Sequence, residues 1–113
     1  MNATERFIRD QNLDRFTALI EATEDGGLRD MLCRLAVEEE DRYGTLLERL
    51  AKADELIVKA EVRVQLLTQL FQDHAAPERA ALHDGILANV AAALAMFRDY
   101  RRTLVEAADR SGL

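Results

Sequence analysis

Between Tyr43 and Phe71 the residues Tyr43, Leu46, Leu50, Ala53, Ile57, Ala60, Val64, Leu67 and Phe71 recur at alternating steps of three and four. That spacing keeps them on one stripe of an α-helix, and such a stripe is buried by laying another helix along it. No proline interrupts the run, and its one glycine, Gly44, stands at its start. A chain carrying this seam folds as helices packed on helices. Every other segment is therefore read as covering the seam or extending the helix that bears it.

The chain of 113 residues is read as one helical domain, 1–113. A single domain of this size buries only a modest core, so pairing with a second copy or a partner is expected. The apolar half of the composition is Leu, Ala, Ile and Val, with no Trp and one Pro, which is the profile of a helical bundle. There are 15 basic and 21 acidic residues, net −6, and residues 1–50 alone hold 7 basic and 12 acidic ones. An acidic chain without a basic stripe lacks the footprint of a nucleic-acid binder, so no nucleic-acid partner is expected. Cys33 is a lone cysteine on an apolar helical face, read as a buried thiol. The charged N-terminus has no apolar signal core, and no run approaches the roughly 18 apolar residues of a membrane span. The expectation is a cytoplasmic protein without membrane contact.

Asn2 or Thr4 caps a first helix over about 4–24, with Glu5 completing a capping box on Asn2. Ile8, Leu13, Phe16, Leu19, Ile20 and Thr23 form its irregular apolar face. Gly26 and Gly27 are assigned the positive φ of a C-cap and turn. From Leu28 a second helix points Leu28, Met31, Leu32, Leu35 and Ala36 inward. With no strong breaker before His74 to Pro77, we read one continuous helix over 28–73, on the order of 65–70 Å long. The alternative breaks it at Gly44, or at Ala51 to Asp54 with Asp54 as an N-cap.

Pro77 opens a last helix over about 77–110, long enough to return antiparallel along the whole seam. Leu82, Ile86, Val90, Ala93, Phe97, Tyr100 and Leu104 form its bulky stripe. Ala81, Gly85, Ala88, Ala92 and Ala95 form a second stripe of small residues, and no charge falls between Gly85 and Phe97. A helix apolar this far round is covered on more than one side. Either it is the central helix of one compact bundle, or the small stripe is a dimer face, and we prefer the second. The fold expected is an all-α antiparallel hairpin of long helices with a shorter N-terminal helix, a bundle completed by homodimerisation.

Chemistry has two candidate sites. The acidic run Glu38-Glu39-Glu40-Asp41 would need a converging histidine to bind metal. Neither His74 nor His83 has an acidic residue three positions before it, as the Glu-x-x-His pattern of helical di-iron sites requires, so no metal or other cofactor is expected. Glu38, Glu40 and Asp41 are assigned to a solvated face. Glu39 continues the seam backwards, and if inward it needs a cation such as Arg15 or Arg42. No phosphate-binding glycine loop or nucleophile elbow occurs, and neither Ser111 nor Cys33 has a histidine near it in sequence.

The second candidate is Leu82-His83-Asp84-Gly85. It resembles the phosphoacceptor segment of one class of sensor histidine kinases. That resemblance implies His83 as phosphate acceptor and Asp84 as the group orienting or deprotonating its imidazole. The histidine lies on the last helix instead of the first and no ATP-binding domain is present, so the resemblance implies at most a phosphotransfer protein.

A broader likeness covers residues 12–40. Asn12, Arg15, Phe16, Leu19, Ile20, Glu21, Thr23, Asp25, Arg29, Leu32, Leu35 and Glu38-Glu39-Glu40 resemble the pattern of short uncharacterised bacterial helical-hairpin proteins. It implies a first hairpin and a bacterial origin, and brings no activity. Gly26-Gly27 stands where those proteins usually carry Pro and a charged or small residue. Taken together, these residues describe a small acidic interaction or regulatory protein that binds a protein partner through helix faces. The alternative is phosphotransfer through His83.

Overall fold

The computed structural model describes residues 2–42 and 44–112. They form four α-helices: α1 (Ala3–Ala22), α2 (Gly26–Arg42), α3 (Leu46–Asp73) and α4 (Ala80–Ser111), with a single 3₁₀ turn, Pro77–Arg79, leading into α4. The helices run up, down, up, down. Arg98–Glu61 and Arg101–Asp54 ion pairs are rungs of the antiparallel α3–α4 hairpin, while Asp10–Lys52 and Glu21–Arg63 set α1 parallel to α3.

The continuous helix expected over 28–73 is broken. Gly44 takes φ 93°, a left-handed conformation that L side chains rarely adopt. Thr45 then restarts the chain as an N-cap: its hydroxyl accepts from the Glu48 amide at 3.2 Å, and the Glu48 carboxylate accepts from the Thr45 amide at 3.3 Å. Asp54, offered as an alternative cap, lies within α3. The seam from Leu46 to Phe71 survives intact on α3, whereas Tyr43 lies outside the described residues.

The Asn2–Glu5 capping box is present as expected. The α1–α2 turn is built differently from the expectation. Gly26 and Gly27 are the first residues of α2 and neither has positive φ. Asp25 makes the turn instead, its carboxylate accepting from the amides of Gly27 (2.8 Å) and Leu28 (3.2 Å). Asn89 on α4 closes the other side, donating to the carbonyls of Glu21 and Thr23.

The core joins all four helices through Leu13, Ile20, Leu32, Cys33, Ala36, Leu56, Ile57, Ala60, Ala93, Leu94 and Phe97. Two helices sit at a different rotation from that expected. On α1, Ile8 and Leu19 are exposed and Arg9 is buried. On α2, Leu28, Met31 and Leu35 are exposed and Glu40 turns inward, beside Leu32, Ala36 and Cys33, whose burial was expected, and Glu39. The rotation follows from packing against α3 and α4, which present polar as well as apolar partners.

Helix length decides what stays uncovered. α1 and α2, of 20 and 17 residues, are shorter than α3 and α4, of 28 and 32. Beyond Ala60 only Leu67 of α3 is fully buried, and no residue of α4 before Asn89 is. The far end of the α3–α4 hairpin therefore extends past its cover.

Candidate functional site: the uncovered hairpin end and the polar corner

At the uncovered end Leu66, Leu70 and Leu82 are 60%, 49% and 55% exposed, values proper to surface polar residues. The small-residue stripe continues this surface: Ala81, Gly85, Ala88 and Ala95 are exposed and Ala92 is half-buried. A Cβ added to Gly85 would meet nothing within 4 Å, so no neighbour within the chain requires glycine there. Between this stripe and the α1–α2 turn lies an open groove of about 960 Å³, with Ala81, Gly85 and Ala88 on its floor and Glu24, Arg29 and Glu78 among its polar edges.

The segment Pro77–Ser111 also corrects the sequence reading on hydropathy. It holds an 18-residue window of mean hydropathy 1.5, long and apolar enough by length and composition to cross a membrane, and 28% of that window is buried. The sequence reading missed it because Asp84 and Asn89 interrupt any strictly apolar run.

His83 is half-buried on α4, and its ring stacks on Phe71 of α3 with centroids 3.9 Å apart and planes 2° from parallel. Asp84 is exposed beside it, and both line a cleft of about 480 Å³ with Phe71, Ala76, Pro77 and Ala80. A phosphoacceptor must offer its imidazole to another protein's active site along an open helix flank. Here Phe71 covers one face of the half-buried ring, a contact that packs the hairpin end.

At the opposite end a polar cluster ties all four helices. Glu39 is buried, the case the sequence left conditional, accepting from Asn12 Nδ2 at 2.9 Å with Arg42 3.7 Å away. Arg42 was one of the two cations foreseen. Glu40 overturns the solvated-face assignment: it is 0% exposed, and neither carboxylate oxygen has a hydrogen-bond partner. Burial raises it from the ordinary carboxylate range to about 7, against the pull of Lys52 and Arg9.

Those two cations are themselves buried, and both pair with Asp10, at 3.1 Å each. Asp41 is exposed yet holds the corner together, accepting from Arg49 at 2.7 Å and from the Tyr100 hydroxyl at 2.9 Å. Burial and the neighbouring Asp41 push the Tyr100 hydroxyl well above its usual range. The sequence signal for Glu40 was its spacing: it follows Cys33 by seven positions and Ala36 by four, on the same buried face. Among the described residues no group of three or more His, Cys, Asp or Glu side chains gathers as a metal site.

No protein family, curated protein or solved structure matches the chain.

Proposed function

We propose that the protein is a small cytoplasmic interaction module that acts as a homodimer, with the small-residue face of α4 and the uncovered end of the α3–α4 hairpin as its contact surface. One observation carries this reading: the most apolar window of the chain is 28% buried by the chain itself. Exposed apolar surface of this extent marks a site of association. The Ala81 to Ala95 stripe lets a second backbone come close, and a two-fold axis places the same stripe on both copies. Asn89, within the same helix, is buried and committed to the α1 terminus, which supports a water-soluble bundle over a lipid-embedded helix. Exposed Glu24 and Asp25 in the α1–α2 turn, with Asp14, Asp30 and Glu38 on the flanking helices among exposed Arg15 and Arg34, offer acidic groups to a basic protein partner.

Light scattering on the purified chain tests the reading. The expected mass is twice that of the monomer, falling to the monomer value in Gly85→Leu and Ala92→Leu with helical circular dichroism retained. A monomeric wild type, or one that partitions into lipid vesicles at every concentration, overturns it.

A further inference from the structure

We propose that Glu40 is a proton-operated latch on the α2–α3 corner: protonated, its carboxyl stays inside the bundle and holds the last turn of α2 in place, and on losing the proton that turn loosens. The geometry supplies the latch. Glu40 lies two residues before the end of α2, four before the left-handed Gly44 that breaks the rod, and no water reaches it. A neutral carboxyl tolerates such a place better than a charged one, because an ion without hydrogen bonds in an apolar interior loses its hydration with little return.

Titratable groups face the corner from every helix. Arg9 comes from α1, Lys52 from α3 with Arg49 beyond it on Asp41, the neutral Tyr100 hydroxyl from α4, and Asp41 adjoins Glu40 on α2. The two cations that would neutralise an ionised Glu40 are already engaged by Asp10, and Lys52 also by Glu55 at 3.2 Å. Ionisation therefore forces a choice: one cation leaves Asp10 for Glu40, or the carboxylate carries its turn out to water. The second course is the latch opening, and it pulls on the Asn12–Glu39 and Tyr100–Asp41 bonds made by the adjacent residues. Asp10 is held below its usual range, and Tyr100 and Cys33 are raised above theirs, so each of these keeps one charge state through neutrality. His74 and His83 sit at the far end of the α3–α4 hairpin.

Hydrogen exchange over residues 36–50 of the full chain, compared at pH 5.5 and 8.0 after correction for intrinsic base catalysis, tests this. The wild type is expected to exchange about thirtyfold faster at the higher pH, because the loss accrues over the roughly 1.5 pH units between 5.5 and the midpoint near 7, and Glu40→Gln to show no such rise. Equal corrected rates at both pH values, or the same rise in Glu40→Gln, overturn the latch. If Glu40→Gln fails to fold, ¹³C-labelled wild type decides: a Glu40 carboxyl midpoint near 7 supports the proposal, and one between 4 and 5 rejects it.

Discussion

The side-chain amide of Asn89 lies 2.6 Å from the carbonyl oxygen of Thr23 and 3.2 Å from that of Glu21, so a residue in α4 completes the end of α1. Helix C-termini leave carbonyls without intrahelical donors, and here the missing donor comes from across the bundle. Replacing Asn89 by Ala leaves those carbonyls unpaired at a buried contact. The expected loss is about 1–3 kcal/mol in urea unfolding. Asn89→Asp, which substitutes an acceptor for the donor, should cost at least as much.

The α2–α3 break rests on Gly44 and the Thr45–Glu48 box. Gly44→Ala forces a side chain into the left-handed region and is expected to cost about 1–2 kcal/mol. Thr45→Ala, which removes the cap hydroxyl, should cost about 0.5–2 kcal/mol. If the corner were dispensable and α2 and α3 could fuse, Gly44→Ala would instead raise the melting temperature and helicity together.

Leu13 is 1% exposed and packs in the core where α1 meets the other helices. Leu13→Ala is expected to cost about 2–5 kcal/mol. Leu50, central in the sequence pattern, is half-buried and should lose less on the same change. Denaturant midpoints of the two variants, compared at equal slope, check the order.

Stability should peak in mildly acidic solution. Glu40 is raised from 4.5 to about 7, so the folded state keeps a proton that the unfolded chain releases. Its contribution is complete below 4.5 and is lost as pH climbs through about 7, a span worth roughly 3 kcal/mol. Asp10 and Glu55 act in the opposite direction. Burial would raise Asp10, but the bonds from Lys52 and Arg9 outweigh it, while the bond from Lys59 leads in lowering Glu55. Their contributions are present above the usual carboxylate values and lost as pH falls below about 4. Melting temperatures from pH 3 to 8 should therefore rise and then decline. Glu40→Gln should abolish the decline and leave the acid limb unchanged.

The seam on α3, the bulky stripe of α4 and the caps at Asn2 and Thr45 all follow from residue spacing within one turn or a few. Local periodicity and local hydrogen bonding act before any tertiary contact exists, so the sequence by itself determined which stretches are helical and the reversals near Asp25 and Pro77, while residues 28–73 read as one continuous helix. The break at Gly44 was only the alternative to a continuous helix; the left-handed glycine and the Thr45–Glu48 box that make it were recognised in the folded chain. Only the tertiary structure decided how far each helix turns about its own axis. That rotation put Glu40 and Arg9 inside and Leu35 and Leu19 outside, and it brought Asn89 to the end of α1. A helix with apolar residues over a broad arc can bury several adjoining faces at similar gain. The choice among them is made by the shape and charge of its neighbours, which no single segment encodes.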